Sequence, residues 1–374
     1  MKLLIATPLY PPDIGGPATY AKILGDELPK YGLSVRVVSF GEVRHFPKGL
    51  SHLIYTFRLF RALSDADVLL ALDPVSVGLP AVFATALRRK KLVVKIVGDY
   101  AWEQGQQRFG VKVFLDEFVT MTPNKFLAQV RLLSAIQFFV ASHASRIIVP
   151  SNYLKDIITK WGASLEKIVV VYNACDTIPV LPPREELRKK FGWNSPVLLS
   201  AGRLVPWKGF APLVTLMAEI VKRHPRARLF IAGSGPLFSE LKSKITETGM
   251  DSLVTLLGEV PKEKLMEYIC AADCFVLNTG YEGLSHQLLE VLAIGTPIVT
   301  TNVGGNPEIV KDHGTGLLVG YNDTVALLGA IEVMLTDTTK AQQMATEGRR
   351  FVASFTIARM VKETISVLEK TISP

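Results

Sequence analysis

Tyr281-Glu282-Gly283-Leu284-Ser285-His286-Gln287-Leu288-Leu289-Glu290, followed by Val291-Leu292-Ala293-Ile294-Gly295-Thr296-Pro297, sets two carboxylates eight positions apart around the start of an apolar helix. Turn residues stand before that helix and a Gly-Thr-Pro stop stands behind it. A helix that opens on small residues offers unpaired backbone N–H groups and a partial positive charge, which suits a phosphate. Glu290, read as about two turns into the helix, is placed to accept hydrogen bonds from sugar hydroxyls. Phosphate beside sugar means a nucleotide or a nucleotide-sugar. A pair of glutamates at this spacing also arises by chance in many helices, so its surroundings decide its meaning.

Working outward, short apolar runs recur with amphipathic stretches between them. In the first half they occupy residues 3–6, 34–39, 68–71, 92–97, 147–149 and 168–171. In the second they occupy 197–201, 228–232, 254–256, 274–277, 298–300 and 316–319. Strand alternating with helix predicts parallel sheets covered by helices on both faces. The pattern occurs twice, with a joint at 173–183 where Asp176-Thr177-Ile178-Pro179 and Pro182-Pro183 interrupt it. The expected class is therefore α/β, with two Rossmann-like doubly wound domains facing across a cleft where ligands bind. The domains are read as 1–177 and 178–355, and residues 356–374 as an amphipathic helix returning to the first. Fold class alone would equally permit dehydrogenases, epimerases or binding proteins.

Composition narrows the field. At 374 residues the chain suits two domains, and 48% apolar with 20% charged residues describes a packed globular protein rather than a disordered one. Three cysteines, Cys175, Cys270 and Cys274, argue against a disulfide framework and for a reducing, cytoplasmic setting. Cys274 opens an apolar run and no second Cys or His pair completes a metal site, so Cys270 and Cys274 read as buried thiols. The apolar N-terminus is too short for a signal peptide and ends in Pro11-Pro12. The apolar stretch 68–87 contains Asp73, Pro74, Gly78 and Pro80, which a membrane helix accommodates poorly. No transmembrane span is expected.

The formal charge of +8 is uneven: residues 1–174 hold 21 Lys and Arg against 13 Asp and Glu, while the remainder holds 21 of each. A solvated basic surface accounts for most of these cations. The sharper reading is that the first half faces something anionic, either a phospholipid surface or a phosphorylated acceptor. Nucleic acid is not expected, because no arginine-rich helix or interleaved aromatic platform is present. The segment 122–143 has apolar residues at helical spacing with Lys125 and Arg131; it could lie on a membrane, though a core-facing helix is the preferred reading.

Four segments at strand ends carry candidate chemistry. After the first strand, Gly15-Gly16 lets backbone approach a ligand, with a helix N-terminus behind it; a simple tight turn is the alternative. After the first strand of the second half, Gly202-Arg203 and Lys208-Gly209 offer a fork and a point charge that can converge on a diphosphate. Gly233-Ser234-Gly235-Pro236 resembles a dinucleotide loop, but Phe238 stands where its third glycine belongs, so a nicotinamide-linked reading loses its main support. Gly304-Gly305 opens a further helix, where Glu308 reads as a charge complementing the dipole.

Together these residues resemble the retaining glycosyltransferase family 4, of the GT-B fold, over nearly the whole chain. The resemblance covers Gly15-Gly16, Pro150-Ser151-Asn152, Val171-Tyr172-Asn173, Gly202-Arg203 with Lys208-Gly209, and Gly233-Ser234-Gly235-Pro236. It is most specific at Glu282-Gly283-Leu284, Leu289-Glu290, Gly295-Thr296-Pro297 and Gly304-Gly305. It implies a hexosyltransferase-like enzyme that moves a sugar from a nucleotide-sugar donor to a hydroxyl of a glycan or lipid-linked glycan. Arg203 and Lys208 would neutralise the departing diphosphate and Glu290 would bind the ribose. Glu282 would lie by the donor sugar, with the backbone N–H groups of Gly283, Leu284 and Ser285 near the phosphates. Gly15, Gly16, Gly202, Gly233 and Gly235 would line the donor. No cofactor or metal is implied, and no Asp-x-Asp triplet is present to hold one. A non-catalytic nucleotide-sugar-binding subunit and a sugar-nucleotide epimerase of the same architecture are the alternatives.

The sequence departs from the family pattern in three places. Asn278-Thr279-Gly280 stands where a Pro-Ser pair is common. Val97-Gly98-Asp99-Tyr100-Ala101-Trp102 stands where many members place a His, which makes Asp99 the candidate for contact with acceptor or sugar and Trp102 a candidate stacking platform; a capping Asp and a packed Trp are the alternative. His286 stands where an aromatic or Gly is usual, and it receives no role.

Overall fold

The structure is a computed structural model that describes residues 1–13, 15–47, 49–175 and 178–373. Ile14 of the first glycine loop, and Asp176 and Thr177 at the joint, lie outside the described residues. The expected domain limit at 177 therefore falls there too. By contacts the chain forms two compact units, Met1–Asn173 with Ile357–Pro374, and Ala174–Thr356.

The first unit carries a parallel sheet of β1 (Lys2–Thr7), β2 (Ser34–Ser39), β3 (Val68–Ala71), β4 (Lys91–Lys95), β5 (Arg146–Val149) and β6 (Ile168–Val170), in the order β2-β1-β3-β4-β5-β6. The second carries β7 (Val197–Ala201), β8 (Arg228–Ala232), β9 (Val254–Gly258), β10 (Cys274–Leu277), β11 (Ile298–Thr301) and β12 (Leu317–Val319), in the order β12-β11-β10-β7-β8-β9. Every expected strand is present. They were legible because strands covered on both faces read as unbroken apolar runs: β3, β7 and β10 are buried at every position. This is the doubly wound architecture expected of a GT-B fold.

Strand order determines where ligands can bind. In the second sheet, β7 to β9 run outward on one side, and the chain then returns to lay β10 against the other edge of β7. Adjacent strands whose connections leave in opposite directions open a crevice at their carboxyl ends. The switch therefore lies between β7 and β10. In the first sheet the same reasoning selects β1 and β3.

The tail forms the helix Ile357–Ile372, which belongs to the first unit. Its Thr364 Oγ1 lies 3.3 Å from Tyr20 Oη, on the helix that follows β1. Among the described residues, no helix is long and apolar enough to cross a membrane.

Candidate nucleotide-sugar site

In the second unit, the loops after β7 and β10 meet at the topological switch. Lys208 lies in a single 3-10 turn, Pro206–Lys208, and its Nζ pairs with Glu282 Oε1 in the loop after β10. The pair is largely enclosed, with side-chain exposures of 16% and 12%. Backbone contacts hold the loops in place: Gly280 N donates to Trp207 O at 2.6 Å, and Thr279 Oγ1 lies 3.3 Å from the same oxygen. Asn278, one of the departures from the family pattern, anchors this junction. Its Nδ2 donates to Gly209 O at 3.2 Å and Asn322 Oδ1 at 2.9 Å, and its Oδ1 accepts from Asn322 N at 3.0 Å. A buried amide satisfied on both ends sets the separation of two loops, and nothing in the sequence signalled that.

The glycines are required by backbone-to-backbone approach. A Cβ on Gly233 would sit 1.9 Å from Gly202 O, and one on Gly235 2.5 Å from Leu204 O. Leu204 N donates to Ser234 O at 2.9 Å, so the loops after β7 and β8 run against each other. On the other side, Gly304 and Gly305 pack under the glutamate loop: a Cβ on Gly304 would lie 2.2 Å from Glu282 O, and Gly305 N donates to Glu282 O at 2.9 Å. Four loops, those after β7, β8, β10 and β11, are thus stacked in two pairs closely enough that only glycine fits. Arg203 projects from the exposed edge of the first of them.

The helix behind Glu282 spans His286–Ile294, with Ser285 as its N-cap accepting from Leu288 N at 3.3 Å and Gly295 as its left-handed C-cap. Gly283, Leu284 and Ser285 precede its first turn. His286 is its first residue and is exposed. Glu290 lies just over one turn in rather than two, because the helix starts after the Ser285 cap rather than at Gly283. Glu290 does not join Lys208. Its Oε1 lies 3.1 Å from Lys262 Nζ, at the start of the helix that follows β9. Lys262 was invisible to the sequence reading, since a lone lysine after Pro261 carries no signal.

In the first unit, Gly15 adopts φ 150° as the N-cap of Gly16–Glu27, and a Cβ there would come 3.1 Å from Leu9 Cδ1. Gly16 has open space around it, so no packing requires it to be glycine. Asp99 is buried, at 1% exposure, and caps the helix Tyr100–Arg108. Its Oδ1 accepts from Trp102 N at 2.8 Å and Gln137 Nε2 at 3.1 Å, and its Oδ2 accepts from Trp161 Nε1 at 3.0 Å. Burial raises its pKa above the usual carboxylate range, against these hydrogen bonds. Trp102 is fully buried, with its indole N–H on Val113 O at 2.9 Å, so it is packing rather than an exposed platform for a sugar.

The segment 122–143 is not one core-facing helix. Pro123–Lys125 makes a 3-10 turn and Ala128–His143 an α-helix that buries only Val130, Gln137, Val140 and Ala141. Leu132 and Phe138 remain exposed on it, at 61% and 46%. Between this helix and its neighbours lies a cavity of about 820 Å³ whose walls include Asp99, Phe118, Phe126, Arg131 and Trp161. Asp73, in the loop after β3, accepts from Val75 N at 2.8 Å and is pushed up in pKa by burial.

The two halves match two family models: Glycosyl transferase 4-like domain over residues 16–174, and Glycosyl transferases group 1 over residues 183–351. Among curated relatives, YtcC of Bacillus subtilis is 30% identical over 67% of this chain and 66% of its own length. The GDP-mannose-dependent alpha-(1-6)-phosphatidylinositol monomannoside mannosyltransferase of Mycobacterium tuberculosis is 33% identical over 52% of each protein. The chain thus spans between half and two thirds of the relatives it matches. Among solved structures, sucrose-phosphate synthase of Thermosynechococcus elongatus superposes with a TM-score of 0.81 at 19% identity, over 99% of this chain and 98% of that one. HepE of Anabaena, crystallised with UDP-glucose, superposes with a TM-score of 0.77 at 20% identity, over 99% and 100%. Two sheets with this strand order, the stacked glycine loops and the matches over both halves have one reading: the chain belongs to the group 1 glycosyl transferases, family 4, of the GT-B fold.

Proposed function

We propose that this protein is a retaining, metal-independent glycosyltransferase that moves a hexose from a nucleotide-sugar donor to a hydroxyl of a glycan or lipid-linked glycan. The observation that carries the reading is the meeting of Lys208 and Glu282 at the β7–β10 switch, where open α/β sheets bind ligands. HepE was crystallised with UDP-glucose and the mycobacterial relative is GDP-mannose-dependent, which supports a nucleotide-sugar as donor.

The chemistry follows from the charges. As the bond between the anomeric carbon and the β-phosphate oxygen breaks, negative charge builds on the phosphate and positive charge on the sugar ring. Lys208 and Arg203 oppose the first, the start of the His286–Ile294 helix adds its dipole, and the Glu282 carboxylate opposes the second. With two cations at the diphosphate, no metal is required. The acceptor hydroxyl then bonds to the anomeric carbon on the face the phosphate left, and a phosphate oxygen takes its proton. Glu290 accepts from the ribose hydroxyls. Asp99, enclosed by its three donors, acts by shaping the wall of the 820 Å³ cavity on the acceptor-binding unit. The excess positive charge of the first half fits an acceptor held at an anionic membrane surface on the cytoplasmic side.

The test is release of nucleoside diphosphate from UDP-, GDP- and ADP-hexoses in the presence of acceptor extracts. The wild type should release it and retain configuration at the anomeric carbon, while Glu290→Ala should not, with circular dichroism unchanged. Tight donor binding without any release would favour a non-catalytic subunit, and conversion of the donor to an epimeric nucleotide-sugar without net release would favour a sugar-nucleotide epimerase.

A further inference from the structure

The helices Leu50–Ala62 and Gly78–Arg88 follow β2 and β3, and right-handed crossovers put both on one face of the first sheet. Their C-terminal ends are fastened together: Arg88 Nε donates to Phe60 O at 3.0 Å, and its guanidinium lies 3.8 Å over the Phe60 ring. Each helix buries one stripe and turns another outward. Leu53 and Phe57 are 69% and 60% exposed, and Phe83 and Leu87 are 49% and 70% exposed. Each of these pairs has the i, i+4 spacing of a single helix face.

The charge around these apolar side chains is predominantly positive. Residues 50–62 and 78–91 contain no Asp or Glu, yet they contain Arg58, Arg61, Arg88, Arg89, Lys90 and Lys91; Arg58 pairs with Glu42 at 2.5 Å, which leaves the other five to set the sign. Arg61 lies 5.9 Å from the Phe57 ring, so cation and apolar surface are interleaved rather than segregated. An outer stripe of large apolar residues needs a partner. A second copy of this chain would bring two sets of five such cations together with only Glu42, already paired with Arg58, beside them, and a neutral partner would leave them uncompensated. A surface that is both hydrocarbon and anionic satisfies both features.

We propose that this helix pair is the face on which the protein docks to an anionic lipid bilayer, with Leu53, Phe57, Phe83 and Leu87 entering the headgroup boundary and Arg61, Arg88, Arg89, Lys90 and Lys91 resting on the lipid phosphates. The face continues through Phe83, whose ring lies 6.2 Å from Phe139, onto the helix Ala128–His143. The docking surface is thus centred on 50–62 and 78–88 instead of on 122–143. The inference gives a location to the membrane-held acceptor proposed above, but its geometry stands independently of any catalytic step.

Co-sedimentation of the full chain with vesicles tests it. Wild type should bind phosphatidylcholine vesicles containing about one quarter phosphatidylglycerol and should bind pure phosphatidylcholine at least roughly tenfold more weakly. Arg61→Gln and Lys91→Gln should each weaken binding about fivefold, with the loss shrinking at high salt. Leu53→Ser with Leu87→Ser should abolish binding while donor hydrolysis persists. If the serine variant misfolds, Leu87→Trp gives a second reading: its added emission should be quenched by brominated lipids in anionic vesicles. Equal binding by wild type and variants, no binding to anionic vesicles, or a concentration-dependent dimer lost in Leu53→Ser would each overturn the proposal. An absence of donor hydrolysis in wild type that still binds anionic vesicles would instead sink the catalytic reading and leave this one standing.

Discussion

Lys208 and Glu282 lie 74 positions apart in the chain and form an enclosed ion pair across the switch between β7 and β10. In the proposed mechanism the two have different partners, the donor diphosphate and the transferred sugar. The pair is therefore a resting arrangement that a donor must open, and opening it without loss requires anionic phosphate to replace the carboxylate at Lys208.

That arrangement makes a double-mutant cycle informative. Lys208→Met leaves a carboxylate of 12% side-chain exposure without its cation, and Glu282→Gln leaves the ammonium similarly. Each single variant should lose about 1–3 kcal/mol of stability. The double variant should recover part of that loss, giving a coupling of about 1 kcal/mol in urea unfolding. Activity should not recover: kcat/KM for transfer should fall at least ~100-fold in Lys208→Met and in the double variant alike. Additive stability losses would refute the coupling.

The glycine loops can be tested by contrast. At Gly304 a Cβ would lie 2.2 Å from Glu282 O, and φ is +57°, so Gly304→Ala must displace the glutamate loop. At Gly16 nothing lies within 4 Å of the added atom. Gly304→Ala should cost about 2–4 kcal/mol and raise the donor KM, whereas Gly16→Ala should leave the melting temperature unchanged or slightly higher. Equal effects would show that close approach is not what requires glycine at 304.

Lys262 should behave as a positioning residue for Glu290. Its Nζ lies 3.1 Å from Glu290 Oε1, but its own side chain is 45% exposed, so solvent screens the pair. Lys262→Ala should therefore raise the donor KM about three- to tenfold with kcat nearly unchanged and little loss of stability. Glu290→Gln should raise KM further, and Lys262→Arg should restore most of the loss. A fall in kcat without a change in KM would argue against this role.

Lys95 gives a pH prediction. It is buried at the end of β4, with Nζ 3.2 Å from Asn173 Oδ1 and 3.8 Å from the centre of the Tyr20 ring. Burial lowers its pKa from 10.5 to about 7. Between those values the unfolded chain binds the extra proton, so stability rises as pH climbs from 7 toward 10.5, and the cost of burying the charge is fully present below 7. The slope is at most about 1.4 kcal/mol per pH unit, reduced because the Tyr20 ring favours the charged form. Lys95→Met removes this dependence and leaves Asn173 Oδ1 without its donor. Relative to wild type, the variant should be more stable at pH 6 than at pH 9 in thermal unfolding. A pH-independent offset would refute it.

Sequence alone was enough for the strands, because the central ones are unbroken apolar runs buried on both faces, and the more exposed β2 and β9 still stand as short apolar segments between turn residues. It was enough for the strand-end glycines and for Glu282 and Glu290 as neighbours of a helix start, since capping and close approach impose residue types at short range. The partners those residues meet were decided by tertiary structure. Lys208 finds Glu282, Glu290 finds Lys262, and Asn278 fastens Gly209 only because parallel strands far apart in the chain are laid side by side with their carboxyl ends together. Burial was likewise decided there: Trp102, read as a candidate platform, is enclosed, while Leu53, Phe57, Phe83 and Leu87, apolar in the same way, are turned outward. A residue's type gives the cost of exposing it, and only the packing of neighbouring elements determines whether it is exposed.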